Sequence, residues 1–205
     1  MPDGRRVRAY VGLGANVGDP HRTLAAAVRT LGALPAVRVR GVSRLFATRP
    51  VGVIDQPDFL NAVVALEVPA GPDPQSGALA LLLALKGLER AFGREVRGRW
   101  GPRELDLDLL VFGRHRIHIE RPSQGRTDDP ARAGAQWLDV PHVAAGERLF
   151  VLAPLADLAP GLVPPGWGET VESRRRVRAA IEGVDAVRVV GTWDPPEGWR
   201  AQEPR

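Results

Sequence analysis

An α+β fold with the element order β-α-β-β-α-β is predicted by three observations: apolar runs with period two, two intervening segments with helical apolar spacing, and turn residues at each junction. Val7 to Leu13 is a short β-prone run that enters Gly12-Leu13-Gly14-Ala15-Asn16-Val17-Gly18-Asp19-Pro20, which reads as a glycine-rich strand-to-helix turn. Asp19 and Pro20 suit the N-cap and first helical position, and Leu24, Val28 and Leu31 supply the stripe of a first helix. Val37 to Thr48 and Phe59 to Val68 read as the next two strands, separated by a proline-containing loop over 49–58. After a linker from Gly71 to Gly77, Ala78 to Phe92 reads as a helix, apolar nearly all round at first and charged at Lys86, Glu89 and Arg90.

Gly93 to Arg103 is a basic loop, Glu104 to Phe112 a strand, and His115 to Ile119 its expected hairpin partner. Residues 120–136 form a polar insertion rich in Pro, Gly and Asp. Arg148 to Leu158 and Glu172 to Ile181 read as helices, Val184 to Val190 as a last strand, and 191–205 as a C-terminal tail. This succession is that of a ferredoxin-like core, an antiparallel sheet with helices on one face and an added C-terminal portion. Residues 1–205 read as a single domain without internal repeats.

The composition narrows the chemistry. With 44% hydrophobic and 25% charged residues among 205, the chain matches a globular protein that buries its own core. It has no cysteine, which excludes disulfides, thiolate metal sites and thiol nucleophiles, so a metal must bind oxygen or imidazole. No apolar run reaches transmembrane length and the N-terminus lacks a secretory core, so a cytoplasmic location without membrane attachment is expected. Net charge is only +4 but the sequence pI is about 10.7, because Lys86 is the sole lysine among 28 basic residues. Such arginine enrichment suits a polyanion, either nucleic acid or a nucleoside triphosphate.

The chemistry concentrates in Arg99-Trp100-Gly101-Pro102-Arg103-Glu104-Leu105-Asp106-Leu107-Asp108. Strand alternation sends Leu105, Leu107 and Leu109 to one face and Asp106 and Asp108 to the other, with aspartate Cα atoms ~6.6 Å apart. Two carboxylates so placed repel each other unless a divalent cation or arginine relieves them. An isolated Asp-x-Asp is most often a solvated strand face. Here Arg94, Arg97, Arg99 and Arg103 precede the pair, and a metal-bound polyphosphate satisfies both charge sets. Trp100, flanked by charge and glycine, suits stacking on a planar heterocycle. Thr48, Pro50, Gly52, Phe59 and Asn61 flank a second loop, and the Asn61 amide, donor and acceptor in one group, suits a lactam-like ring edge. The Gly12-x-Gly-x-Asn segment lacks the Lys-Ser/Thr of a P-loop, although Asn16 can face a substrate. His142 after Pro141, with Arg148 and Phe150 farther on, offers a phosphate donor, a second cation and a second aromatic face.

These residues resemble the 6-hydroxymethyl-7,8-dihydropterin pyrophosphokinase family. The resemblance rests on Arg-Trp-Gly-Pro-Arg-x-Leu-Asp-Leu-Asp, on Gly12-Leu13-Gly14-Ala15-Asn16, on Asp55-Gln56-Pro57-Asp58-Phe59-Leu60-Asn61-Ala62, on Val140-Pro141-His142 and on Leu152-Ala153-Pro154-Leu155. It covers about residues 7–165. It implies diphosphoryl transfer, in which the pterin hydroxymethyl oxygen attacks the β-phosphorus of ATP and AMP leaves. It also implies two Mg2+ ions on Asp106 and Asp108, with Arg94 and Arg97 contributed by a catalytic loop. Lys86, Glu89, Arg94, Arg103, Leu109, His142 and Arg148 take ATP on this resemblance. Asn16, Thr48, Pro50, Val51, Phe59, Asn61, Trp100 and Phe150 take the pterin, its ring between Trp100 and Phe150. Relatives commonly carry Gly-Arg-x-Arg where this chain has Gly93-Arg94-Glu95-Val96-Arg97, and some carry an aromatic at Val143. The 120–136 insertion and the tail are additions. Relatives are commonly monomers, sometimes fused to neighbouring folate enzymes, and a monomer without room for such a fusion is expected here.

Two other readings share parts of this pattern. Another two-metal phosphoryl or nucleotidyl transferase would keep the aspartates without needing Trp100 or Asn61. An RNA-binding module on the same sheet would need exposed aromatics on its strands, and the chain is only 5% aromatic. Two acids in a central strand would also repel a phosphate backbone, so no nucleic-acid partner is expected.

Overall fold

The computed structural model describes residues 5–50, 55–93, 102–120 and 136–201. Its main sheet contains β1 (Arg6–Ala15), β2 (Arg38–Val42), β3 (Leu45–Thr48), β4 (Phe59–Pro69), β5 (Asp106–Phe112), β8 (Val187–Asp194) and β9 (Gly198–Ala201). The order is β5-β1-β4-β3-β8-β9, with β2 also paired to β4. Every pairing is antiparallel. The helices are α1 (Pro20–Ala33), α2 (Pro74–Ala91), α3 (Leu149–Leu158) and α4 (Val171–Glu182).

Local chemistry explains the helix starts. Asp19 accepts the Arg22 N–H ahead of Pro20, and Asp73 accepts the Ser76 N–H ahead of Pro74. The second cap starts α2 four residues before the expected Ala78, inside the anticipated linker. The expected strand over 37–48 is two strands, β2 and β3. Between them Ser43, Arg44 and Leu45 oppose only Ala62 and Val63 of β4, a bulge of one residue. Ser43 fills the interrupted ladder, donating its N–H to Val63 O and accepting the Val63 N–H on Oγ. Arg44 turns outward and binds Asp157 of α3 through both its backbone N–H and its guanidinium.

The helices occupy both faces, not one. Leu24, Val28 and Leu31 of α1 and Leu81, Leu82 and Leu85 of α2 pack with Val11, Leu13, Val64, Leu66, Leu107 and Leu109. On the opposite face, Leu152 and Leu155 of α3 pack with Val63, Leu110 and Val111. A bulge in β5 opposite Tyr10 and Val11 allows this: it turns both Leu110 and Val111 toward α3 and returns Phe112 to the α1/α2 side.

Two expectations about the later strands are corrected. The segment after the Gly113 turn, β6 (Ile117–Glu120), pairs with β7 (Gln136–Val140) in a separate ribbon and not with β5. The outer edge of β5 is already occupied at Leu107, whose N–H reaches Glu89 and whose carbonyl reaches Lys86. The tail, in turn, supplies much of β8 and all of β9. Trp199 of β9 is 3% exposed, stacks edge-on against Trp193 and donates its indole N–H to Ser43 O at the β2–β3 bulge.

Candidate active site

The candidate site forms at one end of the α3-side face, where β1 finishes and β4 and β5 begin. Register places Asn61, Gly14 and Asp106 side by side on three adjacent strands, and Val63, Gly12 and Asp108 in the next row. The glycines are therefore strand residues; the turn is confined to the residues after Ala15, with Gly18 at φ 67°. A Cβ on Gly14 would lie 3.3 Å from Asn61 Oδ1 and 4.0 Å from Asp106 Cβ, so the missing side chain leaves a floor between amide and carboxylate. Two glycines spaced by two in a strand share a face, a sequence signal that could have shown this floor where a glycine-rich turn was expected.

Of the described residues, the buried polar ones are Asn16, Ser43, Thr48, Asn61 and Glu89, and all but Ser43 gather at this end. Asn61 donates through Nδ2 to Thr48 Oγ1 at 2.9 Å, which leaves its Oδ1 over Gly14. Phe59 pairs across the strands with Thr48, and Pro50 follows on the half-buried chain beyond it. Asn16 directs its amide at protein groups: Nδ2 donates to Gln56 Oε1 and Pro57 O, and Oδ1 accepts the Arg103 N–H.

The aspartates face cations of different freedom. Arg103 pairs with Asp106. Lys86 Nζ lies 3.9 Å from Asp108 Oδ1, but it also donates to Glu89 Oε1 at 2.7 Å and to Leu107 O at 2.9 Å. Glu89, 3% exposed, accepts the Leu107 N–H at 2.7 Å. Glu89 and Lys86 thus satisfy both outward backbone groups of the residue between the aspartates, which holds the edge strand in place. Leu109, expected from the resemblance to contact ATP, is buried in the α1/α2 core.

His142 is anchored beside this end of the sheet, its N–H donated to Leu110 O, two residues past Asp108. Its Nδ1 accepts the Ala144 N–H at 3.3 Å, so the neutral ring carries its proton on Nε2, free to donate outward. A cavity of about 550 Å³ opens next to it, with His118, Asp139 and Trp167 in its wall. His118 Nδ1 and Asp139 Oδ1 are 2.6 Å apart. Arg148 and Phe150 sit together at the start of α3, the guanidinium 5.7 Å from the ring centroid. Val51, Arg94, Arg97 and Trp100 lie outside the described residues.

Among the described residues no group of three or more His, Asp or Glu side chains converges as a complete metal site. Two carboxylates on one face still fit magnesium, a hard ion that keeps several waters and takes its remaining oxygens from substrate phosphates.

Comparison with known proteins identifies the family of the chain. Residues 10–160 match the profile of the 7,8-dihydro-6-hydroxymethylpterin-pyrophosphokinase family. The chain is 40% identical over 158 residues to the 2-amino-4-hydroxy-6-hydroxymethyldihydropteridine pyrophosphokinase of Pseudomonas aeruginosa, covering 77% of this chain and 84% of that one. It is 37% identical over 178 residues to the protein of the same name from Bacillus subtilis, covering 86% and 93%. A crystal structure of an HPPK-DHPS in complex with substrates superposes with a TM-score of 0.73 at 13% identity, covering 98% of this chain and 50% of that one. Wild-type Plasmodium falciparum HPPK-DHPS gives 0.72 at 13% identity, covering 100% and 47%. At that identity the two structures establish the fold, and this chain spans about half their length. The profile match and the two bacterial relatives go further: the chain belongs to the 7,8-dihydro-6-hydroxymethylpterin-pyrophosphokinase family.

Proposed function

We propose that this protein transfers diphosphate from ATP to the hydroxymethyl group of 6-hydroxymethyl-7,8-dihydropterin, giving AMP and the pterin diphosphate, a step of folate biosynthesis. The observation that carries this reading is the row Asn61, Gly14, Asp106, in which a ring-reading amide and a metal-binding carboxylate face each other over a floor without side chains. A general two-metal transferase needs the carboxylates but has no use for the amide across from them.

On this reading Thr48 fixes the Asn61 amide so that Oδ1, an acceptor, faces the amino and ring N–H groups of the pterin. Phe59 and Pro50 border the ring, and the family resemblance adds Val51, Trp100 and Phe150 to the pocket. Asp106 and Asp108 would hold two Mg2+ ions, which would supply charge neutralisation for the triphosphate and Lewis-acid polarisation of the attacked phosphorus. Arg103, already at Asp106, stands where phosphate oxygens arrive, and His142 Nε2 offers a further donor. Arg94, Arg97 and Arg148 complete the cationic surround. The nucleoside extends toward the cavity beside His142, whose size suits a small ligand. Lys86 and Glu89 keep the aspartate-bearing edge in register. As the hydroxymethyl oxygen bonds to the β-phosphorus, its proton passes to solvent and the bond from the β-phosphorus to the α,β-bridging oxygen breaks, that oxygen leaving on AMP. The protein acts as a monomer in the cytoplasm.

The test is AMP formation from ATP, 6-hydroxymethyl-7,8-dihydropterin and Mg2+. Pterin-dependent AMP release is expected from the wild type, and a wild type that releases none refutes the reading.

A further inference from the structure

We propose that Asn16 is a positioning residue that couples the two substrate subsites, so that occupation of one changes affinity at the other. The inference rests on the reading above, with the pterin at Thr48 and Asn61 and the nucleotide at Asp106 and Arg103. Asn16 lies at the end of β1, 3% exposed, and bonds to two segments distant in sequence. Toward the pterin side its Nδ2 donates to Gln56 Oε1 at 3.0 Å and Pro57 O at 3.1 Å, both on the approach to β4. Toward the nucleotide side its Oδ1 accepts the Arg103 N–H at 2.8 Å, and its own backbone N–H donates to Arg103 O at 3.0 Å. Arg103 in turn pairs with Asp106. A continuous path of hydrogen bonds therefore runs Pro57, Asn16, Arg103, Asp106, from one loop to the carboxylate of the other subsite.

The chemistry of the amide makes this path directional and stiff. Both Nδ2 donors and the Oδ1 acceptor are engaged, and a flipped amide would set oxygen against the Gln56 and Pro57 oxygens and nitrogen against the Arg103 N–H. Neither segment can shift relative to the other without breaking a partly buried hydrogen bond of the buried Asn16 side chain. Ligand binding that settles residues 55–58 consequently settles the Arg103 backbone. Thermodynamic reciprocity requires the reverse effect to be equal. This assignment differs from direct pterin contact, the role expected for Asn16 from sequence, because its amide is spent on protein groups.

The experiment measures 6-hydroxymethylpterin affinity by calorimetry with and without Mg2+ and α,β-methylene ATP, whose P–C–P bridge blocks transfer. In the wild type the nucleotide analogue should tighten pterin binding by about 10-fold, within the usual range of site coupling. In Asn16→Ala that factor should fall to within about 2-fold of unity, while the affinity for the analogue alone changes by less than about 3-fold. If Asn16→Ala does not fold, Asn16→Asp and Gln56→Ala decide. The first keeps the acceptor for the Arg103 N–H and loses the donors; the second removes one pterin-side partner and leaves Asn16 intact. Reduced coupling in both supports the proposal. Wild-type coupling retained in folded variants, or no coupling in a wild type that binds both ligands, overturns it. So does weaker pterin binding alone with coupling unchanged, which would mark Asn16 as a direct contact. A wild type that binds neither ligand refutes the functional reading itself, and this proposal with it.

Discussion

Acidic residues at the two ends of the α3-side face of the sheet have opposite surroundings. Glu67, near the far end of β4, has Arg8 and Arg38 as its cross-strand neighbours, whereas Asp106 and Asp108 have Gly14 and Gly12. The Glu67 carboxylate is fully engaged, by Arg6 Nε at 2.8 Å, Arg40 NH2 at 2.6 Å and Arg38 NH1 at 3.5 Å. Hydrogen bonding from Arg40 first, and then from Arg6, holds it below the usual glutamate range. Arg103 pairs with Asp106 and Lys86 lies 3.9 Å from Asp108, but across the strands the aspartates border a floor left by glycine. A strand carboxylate flanked by arginines is a staple between strands; one flanked by glycines keeps room for a ligand, at the cost of self-repulsion that a bound cation relieves.

Substitutions at the two ends should therefore separate turnover from stability. Asp106→Asn should lower AMP release by about 10³-fold, the scale of losing a metal ligand at the reacting phosphates. Its melting temperature should stay near the wild-type value, and a large fall in both would mean that Asp106 is a staple like Glu67. Gly14→Ala comes next. Its added Cβ crowds Asn61 Oδ1 at 3.3 Å, so kcat/KM for the pterin should drop by about 10-fold. Melting should be unchanged or slightly improved, since alanine loses less backbone entropy than glycine on folding. Full activity in Gly14→Ala would remove the floor from the site.

Glu67→Gln should produce the smallest change and only in stability, with a melting temperature lower by roughly 2–4 °C at neutral pH and normal turnover. Because the folded-state pKa is depressed, the Glu67 contribution is complete above the ordinary value of 4.5 and is lost as pH falls through the lower folded-state value. The gap between wild type and Glu67→Gln should therefore close on acidification below about pH 4.5. A gap that persists in acid would point to packing of the side chain rather than its charge.

Legibility in the sequence followed the range of each interaction. The starts of α1 and β4, and the opposite facing of Asp106–Asp108 and Leu107–Leu109, depend on neighbours within a few residues, and period and capping chemistry revealed them. The β2–β3 break escaped because Ser43 and Arg44 are stabilised by Val63 and Asp157, far along the chain. The C-terminal hairpin carried a local signal, Trp193-Asp194-Pro195-Pro196-Glu197-Gly198-Trp199, with turn residues between two tryptophans. Its docking on β3 and Ser43 had none.

The sequence by itself determined the two carboxylates, their separation from the leucine core, and the family to which those motifs point, because strand alternation and motif spacing are properties of consecutive residues. Tertiary structure alone decided that Gly14 and Asn61 stand beside Asp106, that Glu89 and Lys86 hold the edge at Leu107, and that Asn16 ties Pro57 to Arg103. Each of those depends on register between strands or on a helix laid along an edge. Register is set by the summed fit of whole buried faces, which no single stretch of chain contains.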